Sequence, residues 1–262
     1  MEGRPVSDSS ILKVSGVRVR FGGLLAVNDV SIDVGARELR AIIGPNGAGK
    51  TTFFNAISGE VPLEAGSVRI ADVELTKHAP HRLRRLGLAR AYQVPQIFGG
   101  MTVRQNLWIA EAVESSARWR PFVKADALAR RSDFVEETCE SVGLTSSIDR
   151  PAEELSHADQ KVLDIGMALM LRPKVLLLDE PTQGVSPEEI QGIHAVVREA
   201  TKRATVLMIE HNMQTILALS DRVTVLVNGA VMAEGTPTEV MENDEVQKVY
   251  MGVHPKEDKE AD

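Results

Sequence analysis

Gly44-Pro45-Asn46-Gly47-Ala48-Gly49-Lys50-Thr51 lies between an apolar run, Leu39 to Ile43, and a helix-compatible one, Thr52-Phe53-Phe54-Asn55-Ala56-Ile57. The first run reads as a buried strand, so a glycine-rich turn joins strand to helix. That order is the context in which the G-x-x-x-x-G-K-[ST] pattern carries meaning. Gly44, Gly47 and Gly49 allow backbone conformations that a Cβ blocks, and successive N–H groups can then converge on phosphate oxygens. The start of the helix adds free donors and a partial positive charge. Lys50 is expected to reach the β- and γ-phosphates of a nucleotide, and the Thr51 hydroxyl to ligate Mg²⁺.

With 262 residues the chain has room for one sizeable α/β domain and a subdomain, needing neither disulfide nor metal for its core. A single cysteine, Cys139, excludes an internal disulfide and suits a reducing compartment. No run approaches the ~18 apolar residues of a membrane span, and Met1 to Ser10 lack the basic and then apolar regions of a signal peptide. A cytoplasmic protein is therefore expected. The net charge of −7 argues against nucleic acid as a partner but not against a nucleotide, which responds to the local field of the loop.

From Ile11 to Val34 apolar and polar residues alternate in two runs joined at Gly22-Gly23, which predicts paired antiparallel strands. Phe21, just before that turn, reads either as a core or edge-strand aromatic or as a platform for an adenine ring. Ser67 to Ile70 and Val73 to Leu75 predict a short hairpin. The basic residues Lys77, Arg82, Arg84, Arg85 and Arg90 read as a solvated face, or else as a contact for an acidic partner or lipid headgroups. A short strand then ends at Gln93. Thr102 to Val142 read mainly as helix, capped by Thr102 and broken at Pro121.

Ser156 precedes another helical pattern and is a candidate cap, whose free N–H groups could also take a phosphate. Val175-Leu176-Leu177-Leu178 is apolar without alternation, which implies a parallel strand buried on both faces. It ends in Asp179 and Glu180. Ligands of open parallel sheets gather at the carboxyl ends of the strands, on the same edge as the glycine-rich loop. Asp179 is thus a candidate for holding Mg²⁺ through water, and Glu180 for orienting or deprotonating a water. A further buried strand, Ala204 to Ile209, brings His211 to that edge as a γ-phosphate contact. Val223 to Val227 and Ala230 to Ala233 form a hairpin through Asn228-Gly229, and a helix opens at Thr236-Pro237.

Taken together, these residues resemble the ATP-binding subunit of ABC transporters over roughly Leu12 to Gly252. The resemblance implies an α/β fold with a P-loop NTPase core, a mostly parallel sheet flanked by helices. To this are added an N-terminal antiparallel β subdomain and an inserted helical subdomain. Residues 11–97 and 161–253 would form the core, 98–160 the helical signature subdomain, and 1–10 and 254–262 flexible tails. Gly44, Pro45, Asn46, Gly47, Ala48, Gly49, Lys50, Thr51 and Thr52 would hold ATP as Walker A, with Asp179 and Thr51 on Mg²⁺. Glu180 follows Walker B, His211 falls at the switch histidine, and Gln93 falls at the Q-loop, sensing nucleotide and its Mg²⁺. Leu155 to Asp159 correspond to the signature motif.

The same resemblance implies a head-to-tail dimer with an identical or paralogous ATPase, in which Ser156 and Ala158 serve the partner's nucleotide. Phe21 to Val27, Gly44 to Thr52 and Val249-Tyr250-Met251-Gly252 resemble the branched-chain amino acid importers, including the related urea and amide importers. Two membrane-spanning permease subunits, indirectly a periplasmic binding protein, and a place on the cytoplasmic face of the membrane are implied. The family signature is typically Leu-Ser-Gly-Gly-Gln. This chain has Ala158 where glycine is kept, so the composite site using it is expected to be slower. The alternative function is a soluble ABC-type ATPase not coupled to transport, or a regulatory nucleotide-binding module.

Overall fold

The computed structural model describes residues 10–76, 78–114 and 132–251. Lys77, Pro121, most of each tail and the Gly252 end of the importer-like terminus lie outside the described residues. Ser10–Phe21 (β1) and Leu24–Gly35 (β2) pair antiparallel, as the alternation across Gly22-Gly23 predicts. Ala65–Ile70 (β4) and Val73–Glu74 (β5) complete a four-stranded sheet in the order β2-β1-β4-β5.

Leu39–Ile43 (β3) belongs to a second sheet of six strands. Its companions are Leu88–Ala91 (β6), Val175–Asp179 (β7), Thr205–Ile209 (β8), Arg222–Val227 (β9) and Ala230–Gly235 (β10). The order is β10-β9-β3-β8-β7-β6. Within it β6, β7, β8, β3 and β9 run parallel, and β10 turns back against β9. The P-loop NTPase architecture expected from the sequence is therefore what the chain adopts.

Every residue of β3, β7 and β8 is buried, and alternate residues feed different cores. Leu176, Leu178, Val206 and Met208 face one hydrophobic cluster, whereas Val175, Leu177, Leu207 and Ile209 face the other. The first cluster is built with helices Val103–Glu114 (α3), Asp133–Ser141 (α4), His157–Met170 (α5) and Pro187–Arg203 (α6). The second lies between the sheets and holds Phe53 and Phe54 of Lys50–Ile57 (α1). Pro80–Leu83 (α2), Met213–Leu219 (α7), Pro237–Met241 (α8) and Asp244–Met251 (α9) complete the helices among the described residues.

Thr102 caps α3, its hydroxyl accepting from the Gln105 N–H while the Gln105 side chain accepts from the Thr102 N–H. Ser156 caps α5 by accepting from the Asp159 N–H at 3.1 Å. The expected division after residue 160 falls inside α5, because one continuous helix runs from 157 to 170. Arg82, Arg84 and Arg85 are exposed, as a solvated face requires, but Arg90 lies in β6 with its side chain buried.

Candidate functional site

Between β3 and α1 the chain turns back tightly over its own neighbours. At Gly44, φ is 154° and an added Cβ would sit 2.1 Å from the Leu226 carbonyl oxygen. At Gly49, φ is 93° and a Cβ would sit 2.3 Å from the Ala26 carbonyl oxygen. Both positions therefore require glycine. The Asn228-Gly229 turn of the β9–β10 hairpin is packed against this loop: the Gly229 N–H donates to the Ala48 carbonyl at 3.0 Å. Both turn residues have positive φ, 49° and 78°, as the hairpin sequence anticipates.

A cleft of about 490 Å³ opens along the loop, lined by residues 46–52, Glu180, residues 24–26, the 228–229 turn and Phe21. Phe21 is half exposed in that cleft, so of its two readings the core placement does not hold. Lys50 Nζ donates to the carbonyls of Gly44 at 2.7 Å and Pro45 at 3.0 Å. Burial lowers the Lys50 pKa, and the nearby Glu180 carboxylate works in the opposite direction. The lysine is thus held over the loop, within the field of an acid that comes from a strand 130 residues later in the chain.

The carboxyl ends of β6, β7 and β8 bring the other expected residues together. Gln93 Nε2 donates to Glu180 Oε2 at 3.1 Å, and His211 Nδ1 lies 3.8 Å from Glu180 Oε1. Glu180 has φ 49°, a left-handed conformation that costs on the order of 1–2 kcal/mol for a residue with a side chain. Three contacts fix it there besides Gln93 and His211's approach: its N–H donates to the Ile209 carbonyl, and its carbonyl accepts both from Lys161 Nζ at 3.1 Å and from the Gln183 N–H at 3.1 Å. Glu210, fully buried, accepts from the Thr182 hydroxyl at 2.6 Å and from the backbone N–H groups of His211 and Asn212. It thereby ties the turn after Glu180 to the turn carrying His211.

Sequence reasoning missed Arg90. Its guanidinium donates to Asp179 Oδ2 at 2.8 Å and to the Asn55 side chain of α1 at 2.8 Å, and it stacks 4.7 Å from the Tyr92 ring centre. Both members of the Arg90–Asp179 pair are buried, at 6% and 7% exposure. The available signal was positional: Arg90 is the one charged residue inside the short strand Leu88–Ala91. Lys161 and Asp164 were missed as well. Asp164 accepts from the N–H of Tyr92 at 3.0 Å and of Gln96 at 3.2 Å, and burial pushes its pKa up to about 6 despite those bonds.

Ser156 and Ala158 do not line the cleft formed by residues 46–52. Ser156 is exposed at the start of α5, and Ala158 is buried in its first turn without positive φ. The backbone here does not demand glycine, which leaves only close approach to a ligand as a reason for one.

The loop fits a triphosphate, because its glycine positions hold the backbone where side chains would collide. The Thr51 hydroxyl and the Asp179 carboxylate are hard oxygen donors of the kind Mg²⁺ takes.

Comparison with known proteins agrees with this geometry. Residues 27–183 match the family model described as ABC transporter, and residues 230–255 the one described as branched-chain amino acid ATP-binding cassette transporter. The high-affinity branched-chain amino acid transport ATP-binding protein BraF of Pseudomonas aeruginosa is 36% identical, the match covering 92% of this chain and 98% of that protein. The high-affinity branched-chain amino acid transport ATP-binding protein LivG of Escherichia coli is 33% identical, the match covering 92% of this chain and 98% of that protein. The ADP conformation of an ATP-binding cassette of an ABC transporter superposes with a TM-score of 0.80 at 33% identity, covering 93% of this chain and 99% of that one. A nucleotide-free ATP-binding cassette from an ABC transporter gives 0.79 at 33% identity, covering 92% and 98%.

Replacing Arg90 by Met would strand a buried carboxylate. Removing one member of such a pair typically costs about 3–5 kcal/mol. Urea unfolding of Arg90→Met should show a loss of that order, and adding Asp179→Asn should recover much of it. Equal midpoints for Arg90→Met and wild type would refute the pairing.

Proposed function

This chain belongs to the ATP-binding cassette family of ABC transporters, and from that membership we propose that it hydrolyses ATP to drive an importer of branched-chain amino acids or similar small polar solutes. The convergence of Lys50, Glu180, Gln93 and His211, drawn from four separate segments, supports this reading above all. The loop amides and Lys50 stabilise negative charge on the transferred phosphoryl group. Glu180 polarises the attacking water, held in orientation by Gln93, and His211 contacts the γ-phosphate. Phe21 offers its half-exposed ring to the adenine. Thr51, Asp179 and Gln93 would hold Mg²⁺, which would supply charge neutralisation on the phosphates.

The assembly proposed for this chain has two such ATPases, identical or paralogous, arranged head to tail, so that Ser156 and Ala158 of each serve the nucleotide of the other. Two membrane-spanning permease subunits and, through them, a periplasmic binding protein complete it. Among the described residues no helix is long and apolar enough to cross a membrane, so attachment to the cytoplasmic face would run through the permeases. The loop after Gln93 presents Val94, Phe98 and Met101 at 69%, 48% and 40% exposure, an apolar surface suited to a permease's cytoplasmic helix. A soluble, uncoupled ATPase would have no use for that surface.

Three outcomes test the reading. Glu180→Gln should keep ATP binding in a fluorescent-nucleotide titration while lowering turnover by at least about 100-fold; unaltered turnover would remove the base assignment. Val94→Asp combined with Phe98→Asp should abolish cosedimentation with permease-containing membranes and leave ATP affinity intact; persistent cosedimentation would put the permease contact elsewhere, and a wild-type chain that fails to cosediment would favour the uncoupled ATPase. Ala158→Gly should raise the ATPase rate of the assembled transporter, by up to about 100-fold if the methyl displaces the phosphate by ~1 Å. No rise would mean that the methyl is harmless.

A further inference from the structure

Lys161 is charged, sits in the second turn of α5 and is only 4% exposed. Its ammonium is spent on two backbone carbonyls from different elements: Gln93 at 3.2 Å and Glu180 at 3.1 Å. Three residues further along the same helix, Asp164 takes the N–H groups of Tyr92 and Gln96. The segment 92–96 is therefore bound to α5 at three backbone points. One of the two groups that do this also grips the left-handed residue whose carboxylate meets Gln93.

We propose that Lys161 is a positioning residue for hydrolysis, setting the orientation of Glu180 through its main-chain carbonyl according to where the Gln93 segment lies. The inference rests on the reading of Glu180 as the group that orients water. A left-handed glutamate is held only by what surrounds it. Its carbonyl has two donors, the Gln183 N–H of its own turn and Lys161 Nζ, and of these only Lys161 comes from another element and also holds the Gln93 segment. Lys161 also carries the Gln93 carbonyl, so displacement of the 92–96 segment and reorientation of Glu180 pass through one ammonium group. Burial lowers the Lys161 pKa, and four nearby acids, first Glu210 and then Glu180, Asp164 and Asp179, work in the opposite direction.

A lysine that merely filled space would affect stability and nothing else. A positioning lysine leaves nucleotide binding intact and lowers the chemical step. It also acts through the same path as Gln93, so the two losses should overlap instead of multiplying.

The test uses the purified full-length chain with Mg·ATP, steady-state turnover, and titration with a fluorescent ATP analogue. Lys161→Met should lower kcat by about 10–100-fold, the range of groups that orient a functional residue, with KM and analogue affinity within about twofold. In a Gln93→Ala background the same change should lower kcat by less than about threefold more. An unchanged kcat, an affinity that falls in step with kcat, or fully multiplicative losses would each overturn the proposal. If Lys161→Met does not fold, Lys161→Leu, which likewise lacks a donor, is read in the same way; failure of both to fold would assign Lys161 a structural role and also overturn it. Glu180→Gln runs in parallel. If that variant turns over normally, the underlying reading fails; if it is inactive while Lys161→Met is normal, only this inference fails.

Discussion

A strand buried on both faces can carry chemistry only at its ends. β3, β7 and β8 obey that constraint without exception, every residue being buried and alternate side chains serving opposite cores. Because they run parallel, their carboxyl ends lie along one edge. Residues separated by more than a hundred positions, from Gly44 to Glu180 and His211, are thereby delivered to a single line. The active edge is a consequence of sheet topology before it is a matter of individual side chains.

That edge concentrates acids, and the fold answers with cations from elements that are not themselves catalytic. Asp179 meets Arg90 from β6, and the carbonyl of Glu180 meets Lys161 from α5. Glu210, with no exposed surface, is satisfied by hydrogen bonds, from the Thr182 hydroxyl and from two backbone N–H groups. They also join successive turns of the edge, so the turn carrying His211 and the one carrying Thr182 are positioned by a shared carboxylate. Electrostatic balance and geometric precision come from the same contacts.

Much of this was legible in the sequence, and the division between what was and was not follows from locality. The glycine loop, the apolar strands ending in Asp179-Glu180 and before His211, the Ser156 cap and the Asn228-Gly229 turn are each written in a few consecutive residues. Arg90, Lys161 and Asp164 are not. Arg90 was absorbed into a basic run whose other described members are exposed, and only its register opposite Leu177 on β7 reveals that it lies beside Asp179. Lys161 and Asp164 interrupt an apolar helical pattern. Their partners are backbone groups of a distant segment, which no local pattern encodes. The role of the 228–229 turn beneath the phosphate loop was hidden for the same reason: a hairpin sequence specifies its turn and not what the turn packs against.

The place of Ser156 on the helix that carries Lys161 and Asp164 has a mechanical consequence. The fourteen residues of α5 span about 21 Å, and Asp164 lies about 12 Å along the axis from Ser156. Leu163, Ile165 and Leu169, all but fully buried, fix the helix in the core shared with α3 and α6. A packed helix moves as a unit, since core packing resists continuous deformation. The 92–96 segment, gripped at Gln93, Tyr92 and Gln96, is thereby joined through α5 to its first turn, where Ser156 and Ala158 stand. The segment that presents Val94 and Phe98 on the surface and the helix start that would face a second nucleotide are thus parts of one rigid connection, and Glu180 is attached to it at its midpoint through Lys161.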